Sequence, residues 1–477
     1  MLVETTDELQ ARAEFALGDA FLRKAVRFTV ERLRTGKAES TAALGRWQEW
    51  RERGRAVRTH VIEHLDYYLE QFSDRLLEGG HHLHFAADAA EAAAIVTRIA
   101  RERRAKLVVK SKSMVSEELH LNQHLADAGI EALETDLGEW IVQLAHEMPS
   151  HLIIPAIHKN RHQVQALFEA EGNVPLSPET QTLAAHARRR LRQRFAEADI
   201  GITGCNFAIA DTGSVVLFTN EGNGRMVTTL PKTHIVVMGM ERILPSLADL
   251  ELMANLLPRS ATGQKITTYV NLLSGARREG EADGARELHV VILDNGRSAQ
   301  LGHPDYQEIL NCIRCGACLN VCPVYRQVGG HAYASVYSGP IGAVLTPLLS
   351  RDPRARELAN ASTLCGACTE ACPVKIPLHD MLVHLRRDNA QRLPNTSLEK
   401  QGFALWSLIF SRPFLYRLAL RLARFAERFL LRTGSRSRRR LPMLPAVEAW
   451  ARHRSLPLPA RKSFRERFRE LSRAKRP

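Results

Sequence analysis

Seven of the eight cysteines fall between Cys312 and Cys372, in two groups with gaps of two and three residues. Such gaps are too short for a loop-closing disulfide framework and point to a reducing compartment and a metal-binding role. The run Cys312-Ile-Arg-Cys315-Gly-Ala-Cys318-Leu-Asn-Val-Cys322-Pro323 has the spacing C-x2-C-x2-C-x3-C-P. In bacterial-type iron–sulfur proteins the first three cysteines of such a run bind one cubane, and the fourth reaches across to the other. A tight loop presents three thiolates to three corners of one cube, and the proline ends the loop and turns the fourth thiolate away. Zinc takes two C-x2-C knuckles rather than this run with its trailing Cys-Pro.

The motif repeats after 50 residues, CGACLNVCPV at 315–324 matching CGACTEACPV at 365–374. The cross-over rule assigns Cys312, Cys315, Cys318 and Cys372 to a first cluster and Cys322, Cys365 and Cys368 to a second. The partner of Cys312 in the repeat is Ser362, so the second cluster has only three thiolates. The alternatives are a three-iron cluster, Ser362 Oγ as ligand, a ligand from a partner or solvent, or a remote cysteine. The remote cysteine is Cys205, which reads better as a small buried side chain. An open iron could also take the hydroxyl and carboxylate of a small acid. The expected cofactors are two iron–sulfur clusters of the [4Fe-4S] type, with [3Fe-4S] as the alternative for the second. Paired clusters relay single electrons, at potentials anywhere from about −700 to +450 mV.

The elements that must carry these cysteines follow from pattern. A chain of 477 residues suggests about three domains, and its 45% hydrophobic and 25% charged composition excludes collagen and wholesale disorder. Residues 1–75 read as two helices, Asp7–Arg34 and Thr41–Leu76, ended by Gly79-Gly80. Residues 76–295 alternate short strands with helix-length segments. The strands are His81–Phe85, Lys106–Lys110, Glu131–Thr135, His151–Pro155, Ile200–Thr203, Ser214–Thr219, His234–Met238 and His289–Leu293. This alternation implies βαβ units and a mostly parallel, buried sheet, with Asp211-Thr212-Gly213 as a hairpin turn within it. Residues 296–390 form a helical two-cluster segment, and 391–477 a basic region. The fold class is therefore α/β plus α.

The charge is local too. The net charge is +14, but Gln401–Pro477 holds 20 Lys and Arg against 4 Asp and Glu, leaving the rest of the chain at −2. Within this appendage Phe403–Arg432 alternates apolar residues with arginines, and the Pro/Arg/Ser-rich remainder reads as loosely ordered. The appendage suits packing on a partner subunit or the cluster segment, or an anionic membrane surface. No nucleic-acid motif accompanies it. The acidic start lacks the pattern of a signal peptide, and no run of about 18 apolar residues occurs. A cytoplasmic protein is expected, with the tail allowing contact with the inner membrane face.

Other candidate site residues lie in the α/β segment. Lys110-Ser111-Lys112-Ser113-Met114 follows a strand and opens a helix, so it could cradle an anion; it could equally be a solvated loop with a serine cap and Glu117 and Glu118 in the first turn. Asn220–Arg225 is Gly-rich and offers Glu221 and Arg225, but lacks a dinucleotide fingerprint, so no NAD or flavin is expected on this chain. His81, His82 and His84 alternate along a strand, which works against a shared ion. Asp136, Glu139 and His158 complete the set. No catalytic residue is assigned.

These residues resemble the bacterial lactate utilisation protein B family over almost the whole chain. The resemblance rests on Lys110-Ser-Lys-Ser-Met-Val-Ser-Glu-Glu118, Glu134-Thr-Asp-Leu-Gly-Glu-Trp140, Pro149-Ser-His-Leu-Ile-Ile-Pro-Ala-Ile-His158, Ala210-Asp-Thr-Gly-Ser214 and the seven-cysteine pattern with its gap at Ser362. It implies an α/β domain similar to the ribose-5-phosphate isomerase and CoA-transferase fold, and a helical ferredoxin-type cluster domain. It implies an electron-transfer subunit in the oxidation of L-lactate to pyruvate, partnered by a cysteine-rich iron–sulfur subunit and a small α/β subunit. The hydride acceptor would then lie on a partner. The rival reading is a stand-alone α/β enzyme on a sugar phosphate or CoA ester, with structural or regulatory clusters.

Overall fold

The structure, a computed structural model, describes residues 8–350, 352–392, 397–430 and 462–474. The chain divides into two compact units, 1–389 and 390–477.

The first unit begins with four helices, Leu9–Gly18, Ala20–Leu44, Trp47–Glu63 and Leu65–Glu78, where two were expected. Asp19 starts the second by accepting from the Leu22 N–H, and Gly45 (φ 71°) with Arg46 (φ 44°) turns the chain before the third. The expected gap between Arg34 and Thr41 is absent. The helix runs on through it, with Ser40 and Thr41 hydroxyls bonded back to the Lys37 carbonyl.

Six parallel strands form the central sheet: β1 (His82–Ala86), β2 (Leu107–Lys110), β3 (Glu131–Glu134), β4 (Ile200–Thr203), β7 (Thr233–Gly239) and β10 (Glu287–Leu293), in the order β1-β10-β7-β4-β2-β3. β7 is buried along its whole length, as a strand covered on both faces must be. A second sheet of four strands, β5 (Phe207–Ile209), β6 (Ser214–Thr219), β8 (Ile243–Leu244) and β9 (Tyr269–Leu273), is ordered β8-β5-β6-β9. The 211–213 turn does join antiparallel strands, Ala208 pairing with Val215, but the hairpin belongs to this second sheet and not to the parallel one.

The expected strand at 151–155 is a loop. His151 Nδ1 accepts from the Ile153 and Ile154 N–H groups at 3.0 and 3.2 Å, and the Ser150 N–H goes to the Pro155 carbonyl. Those amides are spent locally, so no ladder forms. The loop instead buries His151 and Leu152.

Beyond residue 296 the two cysteine motifs fold as a structural repeat. Arg314 and Gly316 (φ 59° and 73°) are matched by Leu364 and Gly366 (φ 54° and 78°), and each pair leads into a five-residue helix, Ala317–Val321 or Ala367–Ala371. One apolar core joins all three segments, with Val26, Ile62, Leu152, Phe207, Leu319, Val344 and Leu382 among its members.

Among the described residues of the second unit the helices are Ser397–Ser411, Pro413–Leu430 and Phe464–Ala474. The last lies where loose order was expected. A capping box starts it, with the Ser463 N–H donating to Glu466 and the Glu466 N–H to Ser463 Oγ. The rest of the Pro/Arg/Ser-rich stretch lies outside the described residues. Among the described residues, no helix is long and apolar enough to cross a membrane.

Candidate iron–sulfur centre

Two left-handed residues, Arg314 and Gly316, fold the first motif back on itself, so that Cys312, Cys315 and Cys318 face one small cavity. Cys372 arrives from the second motif, at the end of helix Ala367–Ala371, and lines the same cavity. The remaining walls are aliphatic, including Leu152, Ile341, Val374 and Ile376. Burial pushes the Cys315 thiol up to about 12 and Cys372 up to about 11, and raises Cys318 strongly. Neighbouring thiols add to each shift, so ionising the set without a counter-charge is unfavourable. A multinuclear cation would relieve that opposition, since metal ligation requires thiolates.

Cys322, Cys365 and Cys368 form the other group. Burial raises Cys368 to about 11, with Cys322 and Cys365 both opposing its ionisation, while Cys365 is exposed. Ser362 occupies the turn position of Cys312. Its Oγ accepts from the Leu364 N–H at 3.1 Å, as Cys312 Sγ accepts from the Arg314 N–H at 3.4 Å. Cys205 lies elsewhere, against the core of the parallel sheet, and the groups acting on it are Arg242, the Val216 N–H and Glu241.

One observation tests these residues against an iron–sulfur group. Arg314 is buried beside Cys312 with Nε and Nη1 unpartnered. Its Nη2 donates to Glu241 at 3.1 Å, and its Cζ lies 5.0 Å from the centroid of the Tyr337 ring. Two unused guanidinium donors are costly unless an anion faces them, which a thiolate-ligated cluster provides. The residues fit.

Cations reach this cavity from sequence positions that motif reading did not connect with it. Lys37 donates to the Ala371 carbonyl and lies near Cys315, Cys372 and Cys318. The fully buried Arg58 donates to the Leu310 and Ile243 carbonyls at 3.0 and 2.7 Å, tying the loop before Cys312 to the second sheet. Glu241 pairs with Arg297 and Arg314; burial works against its ionisation, but the arginines hold it down at about 2.

The other candidates have structural partners. Lys110 is fully buried and donates to Glu134 and Asn122 at 2.5 and 2.6 Å. Lys112 pairs with Glu139, and Ser113 caps the five-residue helix Met114–Glu118, so the capped-loop alternative describes this segment better than an anion cradle. Glu118, however, is not solvated: it binds Arg297 at 2.8 Å and Tyr337 Oη at 2.7 Å. Asp136 caps helix Leu137–Leu144, Glu221 accepts from the Leu137 N–H at 3.2 Å, and Arg225 is exposed. His82 and His84 share a face, as alternation along the strand places them, both stacking on His289, while His81 packs beside Gly275. His158 hydrogen bonds Glu147 at 2.6 Å.

Comparison with known proteins fits this arrangement. Residues 69–293 match the LUD domain, 308–376 a 4Fe-4S dicluster domain, and 387–473 the C-terminal domain of lactate utilisation protein B. The chain is 47% identical over 460 residues to lactate utilization protein B of Shouchella clausii, covering 96% of each chain. It is 46% identical over 473 residues to that of Bacillus subtilis, covering 99% of this chain and 98% of the relative. A DUF162 family crystal structure from Deinococcus radiodurans is 17% identical, covering 48% of this chain and 98% of its own, with a TM-score of 0.27. A dicluster domain indicates bound iron–sulfur clusters, and near-complete coverage at this identity settles the family. The chain belongs to the lactate utilisation protein B family.

Proposed function

We propose that this chain is the electron-transfer subunit of an L-lactate-oxidising system, carrying two four-iron clusters. Cys312, Cys315, Cys318 and Cys372 hold the first; Cys322, Cys365 and Cys368 hold the second, with Ser362 at its fourth corner. Clusters so held supply one-electron transfer. The protein's own part is to keep water from the first site with Leu152, Ile341 and Val374, to fix thiolate geometry through the 314–316 and 364–366 turns, and to offset charge with Arg314 and Lys37. The exposure of Cys365 suits the second site to exchange electrons with a partner.

In this reading residues 1–75 brace the cluster segment, 296–390, while 76–295, of the ribose-5-phosphate isomerase/CoA-transferase type, provides a binding or assembly surface. The basic region 391–477 docks on a partner or an anionic surface in the cytoplasm. Partners are a cysteine-rich iron–sulfur subunit and a small α/β subunit. The observation that carries the proposal is the convergence of four thiols from two motifs on one cavity, beside an arginine with two unpartnered donors.

Anaerobic purification with iron and sulfide counting, and electron paramagnetic resonance, tests it. Two clusters per chain are expected, with Cys315→Ser and Cys365→Ser each disrupting one and stopping electron passage from lactate through the assembled complex. Full activity of both variants on a sugar phosphate or CoA ester would instead establish a stand-alone enzyme.

A further inference from the structure

Glu147, His158 and His331 bring a carboxylate oxygen and two imidazole nitrogens within 4.8 Å of one another, at a place separate from the thiols. Glu147 follows helix Leu137–Leu144, His158 closes the loop that carries His151 and Leu152, and His331 opens a short turn of helix nine residues after Cys322. The two rings meet edge to face with centroids 4.5 Å apart.

His331 is held through Nε2. The His331 Nε2 contact is the Met148 carbonyl at 2.7 Å; a carbonyl only accepts, so Nε2 carries the hydrogen and Nδ1 of the neutral ring carries a lone pair. His158 Nε2 sits 2.6 Å from Glu147 Oε2, so these two atoms face one another and an ion would take the place of the hydrogen between them. The His158 side chain is only 8% exposed. Ligating histidines commonly have their other ring nitrogen fixed by a carbonyl or carboxylate, as the Met148 carbonyl fixes His331.

We propose that His158, His331 and Glu147 form a binding site for a borderline divalent cation of the zinc class. Two imidazoles and a carboxylate suit zinc, leaving a position for water. A bound ion would pin the 147–158 loop to the cluster segment independently of the thiols. Lys159 also pairs with Glu147, so the ion must displace that ammonium. This makes Lys159 a competitor, and its removal should strengthen binding.

The test uses the anaerobically purified, cluster-loaded full chain equilibrated with zinc chloride and then dialysed. Metal counting and zinc-edge X-ray absorption should show one zinc per chain, with nitrogen and oxygen donors at about 2.0 to 2.2 Å and no sulfur. His158→Ala and His331→Ala should each lose the zinc while keeping iron and sulfide, and Lys159→Ala should bind several-fold tighter. Failure of the wild-type chain to retain zinc, sulfur neighbours in its spectrum, or retention by both histidine variants would overturn the site. Weaker binding by Lys159→Ala would overturn the role given to Glu147. The wild-type spectrum decides even if a variant fails to fold.

Discussion

Arg51 donates through Nε to the carbonyl of Cys372 at 2.9 Å, across 321 positions of the chain. A second donor, Nη2, reaches the Thr369 carbonyl at 3.1 Å, so one guanidinium clasps the short helix that delivers Cys372. Lys37, on the preceding helix, bonds to the carbonyl of Ala371 between them. The amino-terminal helices thus place two cations beside the four-thiol cavity.

Those cations should set a potential. Adding an electron to a cluster is easier beside a fixed positive charge, so removing Lys37 should make the first cluster harder to reduce. A unit charge roughly 8 Å away at an effective dielectric of about 20 contributes ~2 kcal/mol, on the order of 50 to 100 mV for one electron. Lys37→Met is expected to lower one midpoint by that amount in an anaerobic redox titration and leave the other in place. A shift of both midpoints equally, or of neither, would detach Lys37 from the site.

Ser362 offers a different handle. Because its Oγ already sits in the turn geometry of Cys312, Ser362→Cys should place a fourth thiolate where the repeat requires one, with little backbone cost. The second cluster should then become a saturated four-iron centre, seen as loss of any three-iron resonance and greater resistance to oxygen. Ser362→Ala should instead raise the three-iron fraction. Identical spectra for all three proteins would mean that the fourth corner faces some other ligand.

The parts of this architecture that could be read from sequence are those set by local pattern. β7 and β10 carry the apolar runs Ile235–Met238 and Val290–Leu293, and the repeated cysteine motif with its cross-over groups the thiols that line the first cavity. β5 and β8 are too short for any periodicity, and β9 is largely exposed, so the second sheet escaped notice. The 151–155 stretch has a strand's composition, but the His151 ring takes its amides. Lys37, Arg51 and Arg58 were invisible for another reason: nothing in an amphipathic helix says which distant carbonyl its arginines will meet.

Gly330 joins the cluster segment to that same loop. Its N–H donates to Ser150 Oγ at 3.2 Å, and the neighbouring Tyr325 hydroxyl donates to the Ser150 carbonyl at 2.7 Å. A Cβ at position 330 would stand 1.9 Å from the Ser150 carbonyl oxygen, which is backbone and has nowhere to move. Gly330→Ala should therefore cost about 1 to 3 kcal/mol or more, read as a lower urea midpoint. Wild-type stability in that variant would show that the two segments are not in register here.

His151 should make the chain acid-sensitive well before its carboxylates do. Burial pushes its ring down to about 4, and Nδ1 already accepts two amide hydrogens while Nε2 meets Asn320 Oδ1 at 3.1 Å. Protonating Nδ1 breaks both amide contacts and charges the ring in an apolar setting. In the unfolded chain the same ring titrates near 6.5, so between about pH 6.5 and 4 the unfolded state binds more protons than the folded one. Stability must then fall as pH falls through that window, by up to roughly 3 kcal/mol for this group. His234, pushed down to about 3 by burial, adds a slope of the same sign. His151→Asn keeps an acceptor for the Ile153 and Ile154 amides but cannot be protonated. Anaerobic urea unfolding at pH 7 and pH 5 should therefore show a smaller loss for the variant than for the wild type. An equal loss in both proteins would mean that His151 does not titrate in this window.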